Sequence, residues 1–95
     1  MDFIQETGRI YGQNSAGETV AEITFPLVNP NTADIDHTFV DPSLRGQGVA
    51  GQLMEAAVGQ IRSRGLQTRT SCPYAAKWFA AHPEQADLLA QDTRS

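Results

Sequence analysis

The sequence predicts a mixed α/β (α+β) domain of order βββαβα: three antiparallel strands, a helix, a strand parallel to the third, and a short last helix. Three observations lead there. Apolar and polar residues partly alternate through residues 8–40, the period of half-buried strands. From Val49 the apolar spacing lengthens to three and four residues, the period of a helix. Between the two regimes, from Val40 to Gly51, runs a junction rich in glycine with one proline.

Gly8–Gln13 is the first strand, carrying Ile10 and Tyr11. Asn14 to Gly17 is turn material, because Asn and Gly tolerate the left-handed backbone of tight hairpins. Thr19–Val28 is the second strand, with Val20, Ile23, Phe25 and Leu27 as apolar anchors. Pro26 has no N–H to give a ladder, which marks an edge or a bulge there. After the turn at Asn29, Pro30 and Asn31, Ala33–Val40 reads as a third strand. Alternation puts Ile35, His37 and Phe39 on one of its faces and Asp36, Thr38 and Val40 on the other.

Residues 48–64 form the long helix, since Val49, Ala50, Leu53, Met54, Ala57, Val58 and Ile61 make a continuous stripe. Gly51 and Gly59 each cost it about 1 kcal/mol relative to alanine. Gly51 permits close approach of the backbone to a ligand or to the sheet; Gly59 has no reason in the sequence. Arg62 and Arg64 suit the negative end of the helix dipole, and Gly65 its C-cap. Leu66–Ser71 is the fourth strand, with Thr68 and Thr70, and the helix before it implies a parallel crossover. Ala75–Ala81 is a short helix whose Trp78 and Phe79 belong to the core. His82 and Pro83 end it or open a final turn through Leu88, and the polar tail from Gln91 is expected to fray.

Ninety-five residues suffice for one core, so residues 1–95 are expected to form a single domain. Seven Lys and Arg stand against eleven Asp and Glu, a net charge of −4, and the cations are scattered along the chain. No basic field exists to hold nucleic acid. No apolar run reaches the length of a membrane span, and the N-terminus has no charged-then-apolar leader. One cysteine excludes an internal disulfide and agrees with a reducing compartment, so the expected location is the cytoplasm.

The chemistry concentrates in the junction. A strand, a glycine-rich turn and a helix N-terminus together make an anion cradle, with phosphate as the usual occupant. Gly46-x-Gly48-x-x-Gly51 satisfies the dinucleotide pattern, but its context fails. Residues 41–45 separate it from its strand, and the next strand ends Thr70, Ser71, Cys72 without a ribose-binding carboxylate. Arg45-x-x-Gly48-x-Ala50 is the other reading, with His37-Thr38-x-Val40 before it and Cys72-Pro73-Tyr74 and His82-Pro83-Glu84 after it. In this order the four motifs resemble the short, single-domain branch of the GNAT N-acetyltransferase superfamily, over roughly residues 7–90. One departure stands out: the short family usually reads His-Thr-Glu-Val, and this chain has Phe39 in place of the glutamate.

The resemblance implies a minimal GNAT fold and acetyl-coenzyme A as cofactor. It assigns the pyrophosphate to the backbone of Arg45, Gly46, Gln47, Gly48, Val49 and Ala50, bordered by Leu44 and the Arg45 side chain. The pantetheine arm would add like a strand beside the third strand, with a backbone amide near Phe39 and Val40 as oxyanion donor. Full-length relatives wall the acceptor site with extra helices that this chain has no room for, so the acceptor side is expected to be open. The acceptor is a small amine or an exposed lysine; monomer and dimer both stay open.

His37 is the candidate base, or else a histidine satisfied by a backbone neighbour within the sheet. Asp36 or Glu22 would substitute for the missing glutamate, although alternation turns Asp36 away from His37. Cys72 is a nucleophile, a proton donor to the leaving thiolate, or a small buried hydrophobe. Direct transfer is the expected route: Pro73 offers no backbone donor to a thiolate, no cation adjoins Cys72, and Arg69 points to the opposite face. Tyr74 is the other candidate acid, or an aromatic packed on the cofactor arm. His82-Pro83-Glu84 is read as a helix stop. The alternative to an enzyme is a noncatalytic acyl-coenzyme A-binding or sensing module.

Overall fold

Glycines set the first two hairpins. In a computed structural model that describes residues 2–90, strands β1 (Ile4–Glu6), β2 (Arg9–Gln13) and β3 (Thr19–Thr24) run antiparallel in succession. Gly17 turns between β2 and β3 at φ 81°, and Asn14 Oδ1 accepts from the N–H groups of Ala16 and Glu18, both at 3.0 Å. The expected strand Thr19–Val28 is split. Pro26 cannot donate to a ladder, and the chain passes through Phe25, fully buried, into a second hairpin of β4 (Leu27–Asn29) and β5 (Thr32–Ile35).

The expected third strand is split as well, and this break shapes the molecule. Strand β6 (His37–Val40) follows β5 after a single residue, Asp36, yet the two pair with different partners. β6 runs antiparallel to β3, completing a sheet of order β1-β2-β3-β6. β5 runs parallel to β7 (Gln67–Thr70), in a sheet of order β4-β5-β7. At the break, Asp36 N–H donates to the Thr24 carbonyl at 3.2 Å, although His37 is the residue in register with Thr24. Two residues thus face one, as in a β-bulge.

The extra residue shifts the phase of the strand. Ile35 is fully buried whereas His37 and Phe39 are exposed, so the three do not share a face as alternation predicted. Asp36 also departs from expectation: its carboxylate accepts from the hydroxyl of Thr24, the cross-strand partner of His37. Asp36 and His37 therefore lie on one side.

Helix α1 (Val49–Ser63) matches the predicted span, and Gly65, at φ 69°, follows its last residues as expected. Its stripe of Leu53, Met54, Ala57 and Ile61 is fully buried against Ile10, Ala21, Ile23 and Phe25 of the sheet. Burial of each large aliphatic side chain contributes about 1.5–3 kcal/mol. Helix α2 (Pro73–Ala81) closes the same core with Trp78 and Phe79, whose rings meet edge-on at 5.2 Å. His82 Nδ1 lies 2.7 Å from the Trp78 carbonyl and its ring stacks on Trp78, so the motif with Pro83 ends the helix as read. A 3₁₀ segment, Pro83–Leu88, follows. The tail from residue 91 lies outside the described residues.

Candidate active site

Where β5 and β6 part company, β7 does not follow β6. Cys72 N–H donates to the Ile35 carbonyl at 3.0 Å, and the chain then turns into α2 at Pro73. The far edge of β6 is left facing a cleft of about 400 Å³. Thr38 and Val40 form one wall. Leu44, Arg45, Gly46, Gly48, Val49, Ala50 and Gly51 form the floor, and Tyr74 of α2 stands opposite.

The floor is built to present backbone donors. Asp41 N–H bonds the Val20 carbonyl at 2.7 Å, ending the β6 ladder, and the Asp41 carboxylate accepts from Ser43 N–H at 2.9 Å and from the Ser43 hydroxyl. Those bonds from Ser43, with Arg45 close by, hold the Asp41 carboxyl below the usual carboxylate range. They fix the 3₁₀ turn Pro42–Leu44, after which Gly46 and Gly48 take left-handed φ of 83° and 74°. Gly48 is the N-cap of α1 and contributes no side-chain bond, and the first turn contains no acidic residue. The first N–H groups of α1 accordingly have no intrahelical partner and no capping side chain, and they open onto the cleft. Arg45 is the one charged residue among the described lining residues. This donor set fits a phosphate-bearing ligand.

Ladder geometry decides which strand amides face the cleft. Because Asp41 N–H points to β3, the N–H and C=O groups of Phe39 and His37 point there too, and those of Thr38 and Val40 point away. Phe39, expected at the cofactor, therefore does not line the cleft; Thr38 takes that place beside Val40. Gln47 is also absent from the lining, and its amide reaches back to the Ser43 carbonyl at 3.5 Å. Leu44, Arg45, Gly46, Gly48, Val49 and Ala50 line it. Gly51 lines it too, which gives that helical glycine its open space: a Cβ there would meet nothing within 4 Å.

Of the three residues proposed for chemistry, two share a neighbourhood. Cys72 is buried as the N-cap of α2, with Sγ 3.5 Å from Thr38 Oγ1. Burial pushes its thiol up, but hydrogen bonding to the Thr38 hydroxyl and to the N–H groups of Ala75, Tyr74 and Thr38 outweighs this, leaving the thiol below its ordinary value. The sequence argument weighed only Pro73 and the absence of an adjoining cation, and the N–H donors of Tyr74 and Ala75 lie further along the chain. Pro73 lacks a donor, but the helix it opens supplies two. Burial, and then the neighbouring Cys72 charge, raise the Tyr74 phenol above its ordinary value, so it stays protonated near neutrality.

His37 lies elsewhere, on the side of β6 away from α1. Its side chain is 54% exposed, and Nε2 stands 3.7 Å from Glu22 Oε1. Among the described residues no helix packs over this face, which carries Arg9, Glu22, His37 and Phe39. Thr38 was missed by the sequence reading, and Gly51 was read only as allowing close approach to a ligand or to the sheet. Alternation from Val40 identifies Thr38; Gly51 is identified by one further residue of helix beyond the loop.

The family model described as GCN5-related N-acetyl-transferase matches residues 9–88. Protein NATD1 of Xenopus tropicalis is 30% identical over 63 residues, which are 66% of this chain and 58% of that protein. This chain thus spans less than two thirds of that curated relative. The solution structure of a GCN5-like protein from Staphylococcus aureus superimposes with a TM-score of 0.78 at 30% identity, covering 94% of this chain and 87% of the other. The crystal structure of Ard1 from Thermoplasma volcanium shares the fold at 21% identity, with a TM-score of 0.63 over 79% of this chain and 53% of its own.

Proposed function

The chain belongs to the GCN5-related N-acetyltransferase family, and from that premise we propose that it transfers an acetyl group from acetyl-coenzyme A directly to a primary amine. One observation carries the reading. The parting of β5 from β6 opens a cleft whose floor is a row of uncapped helix N–H groups and whose wall is an unpaired strand edge. A phosphate-bearing ligand with an extended amide arm fits both features together.

Acetyl-coenzyme A supplies an activated acetyl thioester when bound. The residues of this chain do the rest. The N–H groups of Gly46, Gly48, Val49, Ala50 and Gly51 and the Arg45 guanidinium hold the phosphates. The edge of Thr38 and Val40 takes the pantetheine amides and offers an N–H to the thioester oxygen, where negative charge develops. Tyr74, kept protonated, donates to the departing sulfur. The uncovered face of the first sheet admits the acceptor, an amine on a small molecule or on an exposed lysine.

Calorimetric titration with acetyl-coenzyme A is the first test, and binding in the micromolar range is expected. No heat at millimolar cofactor removes the reading. A second reading, a noncatalytic acyl-coenzyme A-binding module, draws on Phe39 standing where the family has a glutamate. Tight binding without acetylation of any amine would favour it.

A further inference from the structure

The carboxylate that the His-Thr-Glu-Val pattern places on β6 is a phenylalanine in this chain, yet a carboxylate stands directly beside it. Glu22 of β3 is the cross-strand partner of Phe39. Such partners project on the same face, roughly 5 Å apart. That face is the open one, where Phe39 is 38% exposed. Glu22 is held there from both sides. Its Oε2 accepts from Arg9 Nε at 2.6 Å, while its Oε1 lies 3.7 Å from His37 Nε2. Arg9 is fixed in turn by Glu6 at 3.2 Å and by the Tyr11 ring, 3.8 Å from its guanidinium carbon. A carboxylate pinned through one oxygen offers the other to a solvent-facing imidazole.

We propose that Glu22, anchored by Arg9, is the positioning residue that holds His37 to take the proton of the acceptor amine, in place of the glutamate displaced by Phe39. The inference rests on the acetyl-transfer reading above. His37 is the first residue of β6 after the break at Asp36, and its side chain stands on the open face over which the acceptor approaches. A neutral His37 that turns Nε2–H toward Glu22, 3.7 Å away, leaves the lone pair of Nδ1 for the incoming substrate. The ammonium form of the acceptor gives one proton to Nδ1. Its nitrogen lone pair then attacks the thioester carbon, a C–N bond forms, and the C–S bond breaks with its electron pair on sulfur. Tyr74 gives its proton to that sulfur and is reprotonated by the second proton of the nitrogen, so the products are an amide, a thiol and one proton on His37.

The test measures acetyl-coenzyme A turnover on a panel of primary amines and a lysine peptide, with cofactor affinity followed separately by calorimetry. Glu22→Gln should lower kcat about tenfold or more, while the cofactor Kd and the amine KM stay within about twofold. His37→Gln should lose about 100-fold, and adding Glu22→Gln to it should cost little more, because the two act as one unit. Phe39→Glu should restore most of the rate to Glu22→Gln and none to His37→Gln, a rescue that a merely structural Glu22 would not show. Undiminished kcat in Glu22→Gln, or additive losses in the double variant, overturns this inference and leaves acetyl transfer standing. A wild-type protein that binds acetyl-coenzyme A and acetylates nothing overturns both.

Discussion

The two ends of β6 lead to opposite kinds of site. Beyond its C-terminal end lies the cradle, a contiguous run of chain whose useful groups are mostly main-chain N–H. Before its N-terminal end lies the break at Asp36, beside which Glu22 of β3 meets His37 of β6 on the open face, while Cys72 and Tyr74 come from the start of α2 on the cleft side. The first site depends on what a short stretch does locally. The second depends on register across a sheet, where one inserted residue decides which side chains meet. A local site should fail from a single backbone change while the fold survives. An assembled site should degrade in graded steps.

The sharpest way to break this contrast is Gly48→Val. The left-handed φ of 74° costs a non-glycine residue about 1–2 kcal/mol, and any relaxation turns the N-cap donors out of the cleft. Acetyl-coenzyme A affinity should fall by about 100-fold or more, with the fold retained by circular dichroism. Unchanged affinity would mean that the floor is not the phosphate site. Next in size is Tyr74→Phe, which should reduce turnover about tenfold and leave cofactor affinity alone. A purely packing Tyr74 would leave the rate untouched as well.

Smaller still is Cys72→Ala. Under direct transfer it keeps cofactor binding and loses no more than about threefold in rate, and brief mixing with labelled acetyl-coenzyme A leaves no label on the protein. An acetyl group mapped to Cys72 would replace this route with a covalent one. The same variant checks the thiol. Its folded-state pKa lies below its unfolded value, so it adds stability as pH rises through that window, and the contribution is lost as pH falls through the folded pKa. The far-ultraviolet thiolate absorbance of wild type minus Cys72→Ala should therefore rise at a pH below that of an ordinary thiol.

The smallest effect compares two glycines of one helix. A Cβ at Gly59 meets nothing within 4 Å and the residue is exposed, so Gly59→Ala should add about 0.5–1 kcal/mol and raise Tm by several degrees. Gly51→Ala should stabilise the free protein similarly but cost cofactor affinity, because its Cβ enters the cleft. Equal affinity in both variants would detach Gly51 from the site.

The same contrast governs what could be read from residues alone. The helix from Val49, its cap at Gly65 and most of the cradle were legible, because each follows from periodicity or from residues adjacent in the chain. The strand breaks were not. Pro26 announced the first, but nothing in the composition of Ala33–Val40 marks Asp36 as an inserted residue; the extra position exists only against Thr24. The phase of every side chain before it, and so the company of His37, hangs on that pairing. Phe39 was misplaced for the same reason: which strand amide faces the cleft depends on where Asp41 meets β3. The donors around Cys72 were not legible because they belong to the residues after Pro73, and a helix N-terminus reveals its polarity only once folded.

Strand β6 also presents a hazard that the fold contains. A strand edge left open in the middle of a protein is a template on which a stray chain can add, the usual first step of aggregation. β6 is protected in three ways at once. It is four residues long, the break at Asp36 turns it away from its predecessor, and Pro42 ends it with a residue that cannot extend a ladder. The cleft thus admits an arm about as long as the strand and discourages anything longer.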